Sequence, residues 1–193
     1  MGVTYHIFEE YCKSYFESAN EILELGAQNL FLNGRMDDYF KNLFPQYKVT
    51  SYDMNGENHS RRVNLADEQT PEKTFDLVSN FGTSEHVPNQ YICWKNIHSF
   101  CSPGGIVINE IPRIGHWPNH CKYYVDRPFF ESMAKDFEIV FFTYTKYNEG
   151  DLCFCILKKI SDSFLTTREE FEKNIYEVPG FKDPMSFYGT KNS

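Results

Sequence analysis

The stretch Glu21-Ile-Leu-Glu-Leu-Gly-Ala-Gln-Asn29 organises the chain. Its segment Ile22 to Leu25 is short and mostly apolar, which is typical of a strand buried on both faces of a parallel sheet. The strand ends at Gly26, and we expect a helix over residues 30–44 to follow it. A strand that stops at a glycine turn before a helix leaves backbone N–H groups above the sheet, where open α/β folds bind nucleotide-like ligands.

Composition indicates one folded globular domain of 193 residues, with 41% hydrophobic and 17% aromatic residues. The net charge of -8 argues against a nucleic-acid-binding surface. No stretch approaches the roughly 18 apolar residues of a membrane span, so we predict no membrane partner. The first residues do not resemble a signal peptide, and the six scattered cysteines contain no CxxC pair. We therefore expect reduced thiols and a cytoplasmic location.

Hydrophobic periodicity divides the chain into alternating strands and helices. The predicted strands are residues 22–25, 47–52, 62–66, 75–81, 105–111, 138–147 and 152–160. The predicted helices are residues 3–18, 30–44, 89–100, 129–135 and 167–176. Residues 112–128, which have no clean period, are predicted to form a loop over the top of the sheet.

This order of elements predicts the fold class. Alternation through five strands implies a parallel sheet, and the turn at Asn148–Asp151 implies a terminal antiparallel hairpin. The result is an α/β fold with a doubly wound, mostly parallel seven-stranded sheet, helices on both faces and an antiparallel C-terminal hairpin strand. Residues 1–160 would form this domain, and residues 161–193 a polar C-terminal extension with one short helix.

Polar residues close the first four predicted strands: Glu24, Asp53, Asp67 and Asn80. The carboxyl ends of parallel strands share one edge of the sheet, where the ligand crevice forms. Asp53 at the end of the second strand is placed to accept hydrogen bonds from both hydroxyls of a ribose. The alternative is that these residues only cap turns.

Several motifs together resemble the class I S-adenosylmethionine-dependent methyltransferases, over roughly residues 15–160. They are ILELGAQN, TSYD, NLAD, FDLVSNFGTSEHV and SPGGIVINEIP. The resemblance implies a Rossmann-like methyltransferase fold, S-adenosyl-L-methionine as the cofactor, and methyl transfer to a small-molecule substrate with a polar acceptor. It gives no indication of the oligomeric state.

The same resemblance implies a set of residues around the cofactor. They are Glu24, Gly26, Ala27, Asp53, Met54, Asp67, Asn80 and Phe81. Asp53 would hold the ribose hydroxyls, Met54 would lie against the adenine face, and Asp67 would accept from the adenine amino group. Asn80 and Phe81 would line the passage between cofactor and substrate.

The loop after the first strand departs from the family pattern, which usually has glycines at alternate positions. This chain has Gln28 and Leu30 after Gly26, and a side chain at Gln28 narrows the space beside a cofactor. One alternative function is therefore a catalytically silent methyltransferase-like binding or scaffold domain. A nicotinamide-dependent oxidoreductase is a weaker alternative, because the glycine fingerprint is incomplete.

Methyl transfer from a sulfonium is an in-line displacement, so positioning contributes much of the rate. An oxygen or nitrogen acceptor also benefits from a base that removes its proton. His86, His116 and His120 are the candidate catalytic residues, and the presence of a histidine base slightly favours oxygen as the acceptor.

Aromatic residues of the irregular loop are predicted to contact the substrate. Trp117 and Tyr123 would form a wall or lid of the acceptor pocket, with Glu110 as a nearby strand-end acid. The alternative is that aromatic rings in this loop only cover the sheet edge.

A divalent metal site is an alternative role for some of these residues. Glu85, His86 and the loop histidines are residue types that suit several divalent ions. Some members of the family bind a metal through a Glu-x-x-Glu-His cluster, but here Gly82 occupies the first position. The sequence therefore predicts no metal.

Overall fold

The computed structural model describes residues 3–32, 35–147 and 150–184. The strands in these parts are β1 (Ile22–Leu25), β2 (Asn29–Leu32), β3 (Arg35–Tyr39), β4 (Val49–Asp53), β5 (Arg61–Arg62), β6 (Phe75–Phe81), β7 (Cys101–Pro112), β8 (Tyr123–Tyr124), β9 (Phe137–Tyr147), β10 (Gly150–Lys159) and β11 (Tyr176–Glu177). The helices are α1 (Tyr5–Ile7), α2 (Lys13–Ser18), α3 (Phe40–Leu43), α4 (Gln90–Phe100), α5 (Arg127–Ser132) and α6 (Arg168–Glu172), with a π-helical turn (Phe8–Cys12) between α1 and α2 and a 3₁₀ turn (Ser84–His86) before α4. Over the same residues, no helix is both long and apolar enough to cross a bilayer.

A seven-stranded sheet in the order β5-β4-β1-β6-β7-β10-β9 forms the centre of the molecule. Neighbouring strands in the part of the sheet made of β5, β4, β1, β6 and β7 pair in parallel, and β10 pairs antiparallel with both β7 and β9. The predicted mostly parallel sheet with an antiparallel terminal hairpin is confirmed. Residues 148 and 149, within the predicted hairpin turn, lie outside the described residues.

The shortest central strand, β1, is covered on both faces. Ile22 packs into an apolar cluster with Phe8 and Phe16 of the amino-terminal helical segment. Leu23 and Leu25 belong to the larger cluster on the opposite face, which also contains residues of α4 and α5. The apolar run that predicts a strand buried on both faces therefore has the expected environment.

The predicted helix over residues 30–44 is wrong. The chain forms the antiparallel strands β2 and β3 there, followed by the single helical turn α3. The intervening residues 33–34 lie outside the described part, but their sequence, Asn-Gly, is the dipeptide that favours a two-residue hairpin. Leu30 is buried in the cluster of Phe8 and Phe40, so apolar packing in this segment supports a hairpin as well as a helix.

Other predicted boundaries shift for local reasons. The third strand covers only Arg61–Arg62, because the Asn64 side chain accepts a hydrogen bond from the Ala66 backbone N–H at 3.0 Å and so forms a turn. The helix predicted over residues 167–176 covers only α6, where Thr167 forms a capping box. The predicted loop 112–128 contains β8, which pairs with β11.

The polar segment after residue 160 packs against the sheet domain through one buried carboxylate. Asp136 is fully buried and accepts hydrogen bonds from Leu165 N at 2.6 Å, Thr166 N at 2.9 Å and the Ser161 hydroxyl at 3.0 Å. Phe171 of α6 is also fully buried in the larger apolar cluster. The boundary at residue 160 stays a prediction, but the residues just beyond it are tied to the sheet.

Replacing this carboxylate should loosen the C-terminal segment. We expect Asp136→Ala to lower the free energy of unfolding by about 3 kcal/mol, because buried donors around a charged acceptor lose their partner. Asp162→Ala, at an exposed aspartate, is the matched control and should change stability by less than about 0.5 kcal/mol. Urea denaturation measures both, and equal effects would contradict the role given to Asp136.

Candidate functional site

A cleft of about 400 Å³ opens at the carboxyl ends of β1, β4 and β6. Three loops that follow these strands, at residues 26–29, 53–58 and 82–86, contribute to its lining. The β2–β3 hairpin adds Phe31, Met36 and Tyr39 to the wall. The cleft therefore lies at the sheet edge where the sequence predicts the ligand crevice.

Two carboxylates hold the loop after β1 in place. The Ala27 backbone N–H donates to Asp53 Oδ2 at 3.0 Å. The Gln28 backbone N–H donates to Glu24 Oε1 at 3.2 Å. Since Asp53 also lines the cleft, its carboxylate joins the β1 and β4 loops within the cleft wall.

The Gln28 side chain bridges the β1 and β6 loops. Its Nε2 donates to Thr83 Oγ1 at 2.7 Å, and the Thr83 hydroxyl in turn donates to the Leu25 carbonyl at 2.7 Å. The bridge passes over Gly26, where an added Cβ would lie 2.5 Å from Gln28 Nε2. With a φ of +76°, Gly26 is also in a conformation that other residues rarely adopt.

Four of the residues expected around the cofactor lie together in the cleft: Gly26, Ala27, Asp53 and Met54. Asp53 Oδ1 accepts the Asn55 backbone N–H at 3.0 Å, so both carboxylate oxygens already have one partner. A carboxylate has about four acceptor sites, and Asp53 therefore retains capacity for further donors.

Glu24 lies beneath the loop and does not line the cleft. Its Oε2 accepts a hydrogen bond from the buried Ser51 hydroxyl at 2.6 Å. Burial raises the pKa of the Glu24 carboxyl to about 7, although the hydrogen bond from Ser51 opposes this shift. Glu24 thus supports the loop from below.

Asn80 and Phe81 are also inside the protein. Asn80 Nδ2 donates to Ser84 Oγ at 2.8 Å and to Asn109 Oδ1 at 3.1 Å, while its Oδ1 accepts the Ser84 N–H at 3.0 Å. Phe81 is buried in the apolar cluster of the amino-terminal helical segment. Neither residue lines the cleft, so their roles at the cofactor stay predictions.

Asp67 is exposed and lies outside the cleft lining. Its Oδ2 accepts from Asn64 Nδ2 at 2.7 Å within the turn that follows β5. Leu65 of the same turn does line the cleft. The predicted contact of Asp67 with an adenine amino group stays a prediction.

His86 is the candidate histidine that forms part of the cleft wall. Its Nδ1 lies 2.8 Å from Asp183 Oδ2, and its Nε2 lies 3.8 Å from Glu85 Oε1. The ring of His120 is 5.2 Å from the ring of His86, centroid to centroid. Burial lowers the pKa of His120 to about 4. Two of the three predicted catalytic histidines are therefore neighbours, and one of them, His86, lines the cleft.

His116 occupies a different place. Its Nδ1 accepts the Asp151 backbone N–H at 3.0 Å, and its ring packs against Gly150 at the start of β10. Asp151 also pairs with Arg113 at 3.1 Å. These contacts fix the terminal hairpin to β7, and His116 does not line the cleft.

The predicted substrate residues are dispersed. Trp117 is mostly buried, with its ring centroid 5.5 Å from that of His120. The Tyr123 hydroxyl donates to the Pro88 carbonyl at 2.8 Å, and Tyr123 lines a separate cleft of about 410 Å³. Trp117 is therefore near the paired histidines, whereas Tyr123 is part of another surface.

Glu110 is buried away from the cleft. Its Oε1 accepts hydrogen bonds from the Thr145 hydroxyl at 2.8 Å and the Tyr147 hydroxyl at 3.3 Å. Burial raises the pKa of this carboxyl to about 7, and the two hydrogen bonds only partly oppose the shift. Contact between Glu110 and a substrate stays a prediction.

Some cleft residues are not predicted from the sequence. The apolar wall formed by Phe31, Met36 and Tyr39 is missed because that segment is predicted as a helix. The Asn-Gly dipeptide at 33–34 is the signal that could have identified it. Asp183 beside His86 is missed because it lies in a polar extension with no local pattern.

Comparison with known proteins identifies relatives at the level of family and fold. A family model described as "Methyltransferase domain" matches residues 9–139. A comparison with curated proteins finds no significant match.

Three solved structures illustrate the likeness in fold. The N-methyltransferase NodS from Bradyrhizobium japonicum, in complex with S-adenosyl-L-homocysteine, has a TM-score of 0.54 at 10% identity, covering 81% of this chain and 92% of that one. A methyltransferase from Methanosarcina mazei gives 0.57 at 14% identity, covering 79% and 98%. The 1,6-didemethyltoxoflavin-N1-methyltransferase of Burkholderia thailandensis, with bound 1,6-didemethyltoxoflavin and S-adenosylhomocysteine, gives 0.54 at 16% identity, covering 74% and 72%.

The buried carboxyl of Glu110 should make stability depend on pH. In the folded protein the Glu110 carboxyl keeps its proton up to about pH 7, whereas in the unfolded chain it releases the proton near pH 4.5. The contribution of this group to stability is therefore fully present below pH 4.5 and is lost as the pH rises to 7. Glu110→Gln cannot ionise, so we expect its free energy of unfolding to fall about 2 kcal/mol less over this range.

Urea denaturation at pH 4.5 and 7.5 measures the difference. Glu138→Gln, at an exposed glutamate of β9, is the control and should follow the parent protein. A Glu110→Gln variant with the same pH dependence as the parent would contradict the predicted loss.

Proposed function

We propose that this chain, which belongs to the methyltransferase domain family whose model matches its residues 9–139, transfers a methyl group from S-adenosyl-L-methionine to a small polar acceptor. The observation that carries the proposal is the cleft at the carboxyl ends of β1, β4 and β6. Its lining combines a tight glycine turn, a strand-end carboxylate and apolar side chains, which is the mixture of groups that small-molecule sites use.

The residues of the cleft fit this cofactor. At about 400 Å³, the cleft falls within the usual range for small-molecule sites, which is about 300–1,000 Å³. Gly26 and Ala27 would allow backbone to approach the methionine part, Asp53 would accept from the ribose hydroxyls, and Met54 would lie against the adenine. Asp53 and Glu57 also give this lining an acidic character that suits a cationic sulfonium.

When bound, S-adenosyl-L-methionine supplies an electrophilic methyl group on sulfur. The chain's own residues would orient the acceptor and restrict water, since an in-line displacement depends on alignment. His86 supports oxygen as the acceptor atom. With Nδ1–H donated to Asp183, its Nε2 carries a lone pair that can accept the proton of a hydroxyl.

A second candidate, a catalytically silent binding domain, is favoured by one observation. The Gln28 bridge to Thr83 crosses the backbone of Gly26, where the family would place the methionine part of the cofactor. The bridge consists of one side-chain hydrogen bond, and breaking it costs only about 1 kcal/mol. We therefore keep methyl transfer as the first proposal.

The carboxylate of Asp53 provides the most direct test. We expect Asp53→Asn to weaken binding of S-adenosyl-L-homocysteine at least about 10-fold, equal to about 1.4 kcal/mol, because it loses a charged acceptor for the ribose. Isothermal titration calorimetry measures the affinity, with Asp162→Asn as the exposed control. Asp67→Asn tests the predicted adenine contact in the same assay. Parent protein that releases no heat with the ligand would favour the silent domain.

Removing the bridge should improve binding. We expect Gln28→Ala to bind S-adenosyl-L-homocysteine up to about 5-fold more tightly, since no hydrogen bond to Thr83 has to be broken first. Calorimetry compares this variant with Gln46→Ala, at an exposed glutamine before β4. Weaker binding by Gln28→Ala would instead indicate that the amide contacts the ligand.

A further inference from the structure

A small group of buried polar atoms has no hydrogen-bond partner among the described residues. Besides the indole nitrogens of Trp94 and Trp117, it consists of both carboxylate oxygens of Glu85, Nε2 of His86 and Nε2 of His120. Glu85 is 2% exposed and His86 8% exposed. A buried carboxylate with neither oxygen satisfied costs considerable free energy unless a cation or a donor compensates it.

These atoms converge on one point. Glu85, His86 and His120 each provide one ligand atom, and these atoms lie within 4.8 Å of one another. The separation of 3.8 Å between His86 Nε2 and Glu85 Oε1 is too long for a hydrogen bond. Bonds of about 2.1 Å to a tetrahedral ion place its ligands roughly 3.4 Å apart, so small side-chain rotations would bring the set into coordination distance.

One of the histidines is already oriented as a metal ligand would be. His86 Nδ1 lies 2.8 Å from Asp183 Oδ2, and that carboxylate also accepts the Lys122 backbone N–H at 3.3 Å. A carboxylate that accepts the N–H of one ring nitrogen fixes the tautomer and turns the lone pair of the other nitrogen toward the metal. Asp183 would therefore act as a positioning residue for Nε2 of His86.

We propose that Glu85, His86 and His120 bind a divalent transition-metal ion of the zinc type. Two imidazole nitrogens and one carboxylate oxygen are a donor set that zinc uses with a fourth position left open. Magnesium and calcium are less suited, because they prefer all-oxygen ligands. The sequence contains these residue types but predicts no metal; the fold brings His120 of the irregular loop to Glu85 and His86, whereas His116 lies at Asp151.

The ion would sit beside the proposed active site. His86 belongs both to this ligand set and to the wall of the cleft. With the metal bound, the Nε2 lone pair of His86 would be a ligand and could not serve as the base; the open coordination position would instead bind the acceptor oxygen and lower the pKa of its hydroxyl. This consequence rests on the proposed methyl transfer, whereas binding of the metal itself does not.

Metal binding is tested on the full chain without cofactor or substrate. Calorimetric titration of the metal-free protein with Zn²⁺ should give one equivalent, and Glu85→Gln, His86→Asn and His120→Asn should each weaken the affinity at least about 10-fold. His6→Asn is the matched control, since His6 forms an exposed pair with Glu10 at 3.0 Å. It should bind Zn²⁺ as the parent does.

Substitution with Co²⁺ gives a readout that does not depend on a variant folding. The parent protein with one equivalent should show the visible absorption of a low-symmetry, four- or five-coordinate site with nitrogen and oxygen ligands. A thiolate charge-transfer band would overturn the ligand set. The proposal would also be overturned if the parent protein bound no metal, or if His6→Asn were the one variant that lost metal binding. Unchanged binding in all three ligand variants, each shown to be folded by circular dichroism, would also overturn the proposal.

Discussion

The burial of β1 on both faces is the constraint on which the rest of the structure depends. The backbone N–H and C=O groups of this four-residue strand are buried and need partners, and β4 and β6 supply them on either side. Both faces of the sheet must then be covered by apolar side chains. The amino-terminal helical segment covers one face, and α4 and α5 cover the other. Because these three strands are parallel, their carboxyl ends meet at one edge and define the cleft.

Much of this architecture could be predicted from the sequence, because it depends on apolar periodicity. The runs Ile22–Leu25 and Phe75–Phe81 are strands at the predicted residues. The segment after β1 could not be assigned from periodicity alone, since its apolar residues can be buried in either a helix or a hairpin. The Asn-Gly dipeptide at 33–34 is the one local signal in the sequence that favours a hairpin, and a prediction based on apolar periodicity alone does not use it.

The site could be predicted only in part, for a different reason. Sequence reasoning identifies which polar residues end the strands, but it does not show which already have partners inside the protein. Asp53 lines the cleft, whereas the side chain of Asn80, near the end of β6, already forms hydrogen bonds with the Ser84 backbone and with Asn109. Residues brought together by long-range packing, such as His86 and Asp183, leave no local signal at all.

The hairpin that replaces a helix after β1 changes which ligand charge the cleft favours. A helix that begins at this point would direct the positive end of its dipole at the ligand and stabilise a pyrophosphate. Strand β2 has almost no net dipole, and the nearby carboxylates of Asp53 and Glu57 add negative potential. On these grounds we expect the cleft to bind dinucleotides with a charged phosphate bridge less well than a nucleoside that carries a positive charge.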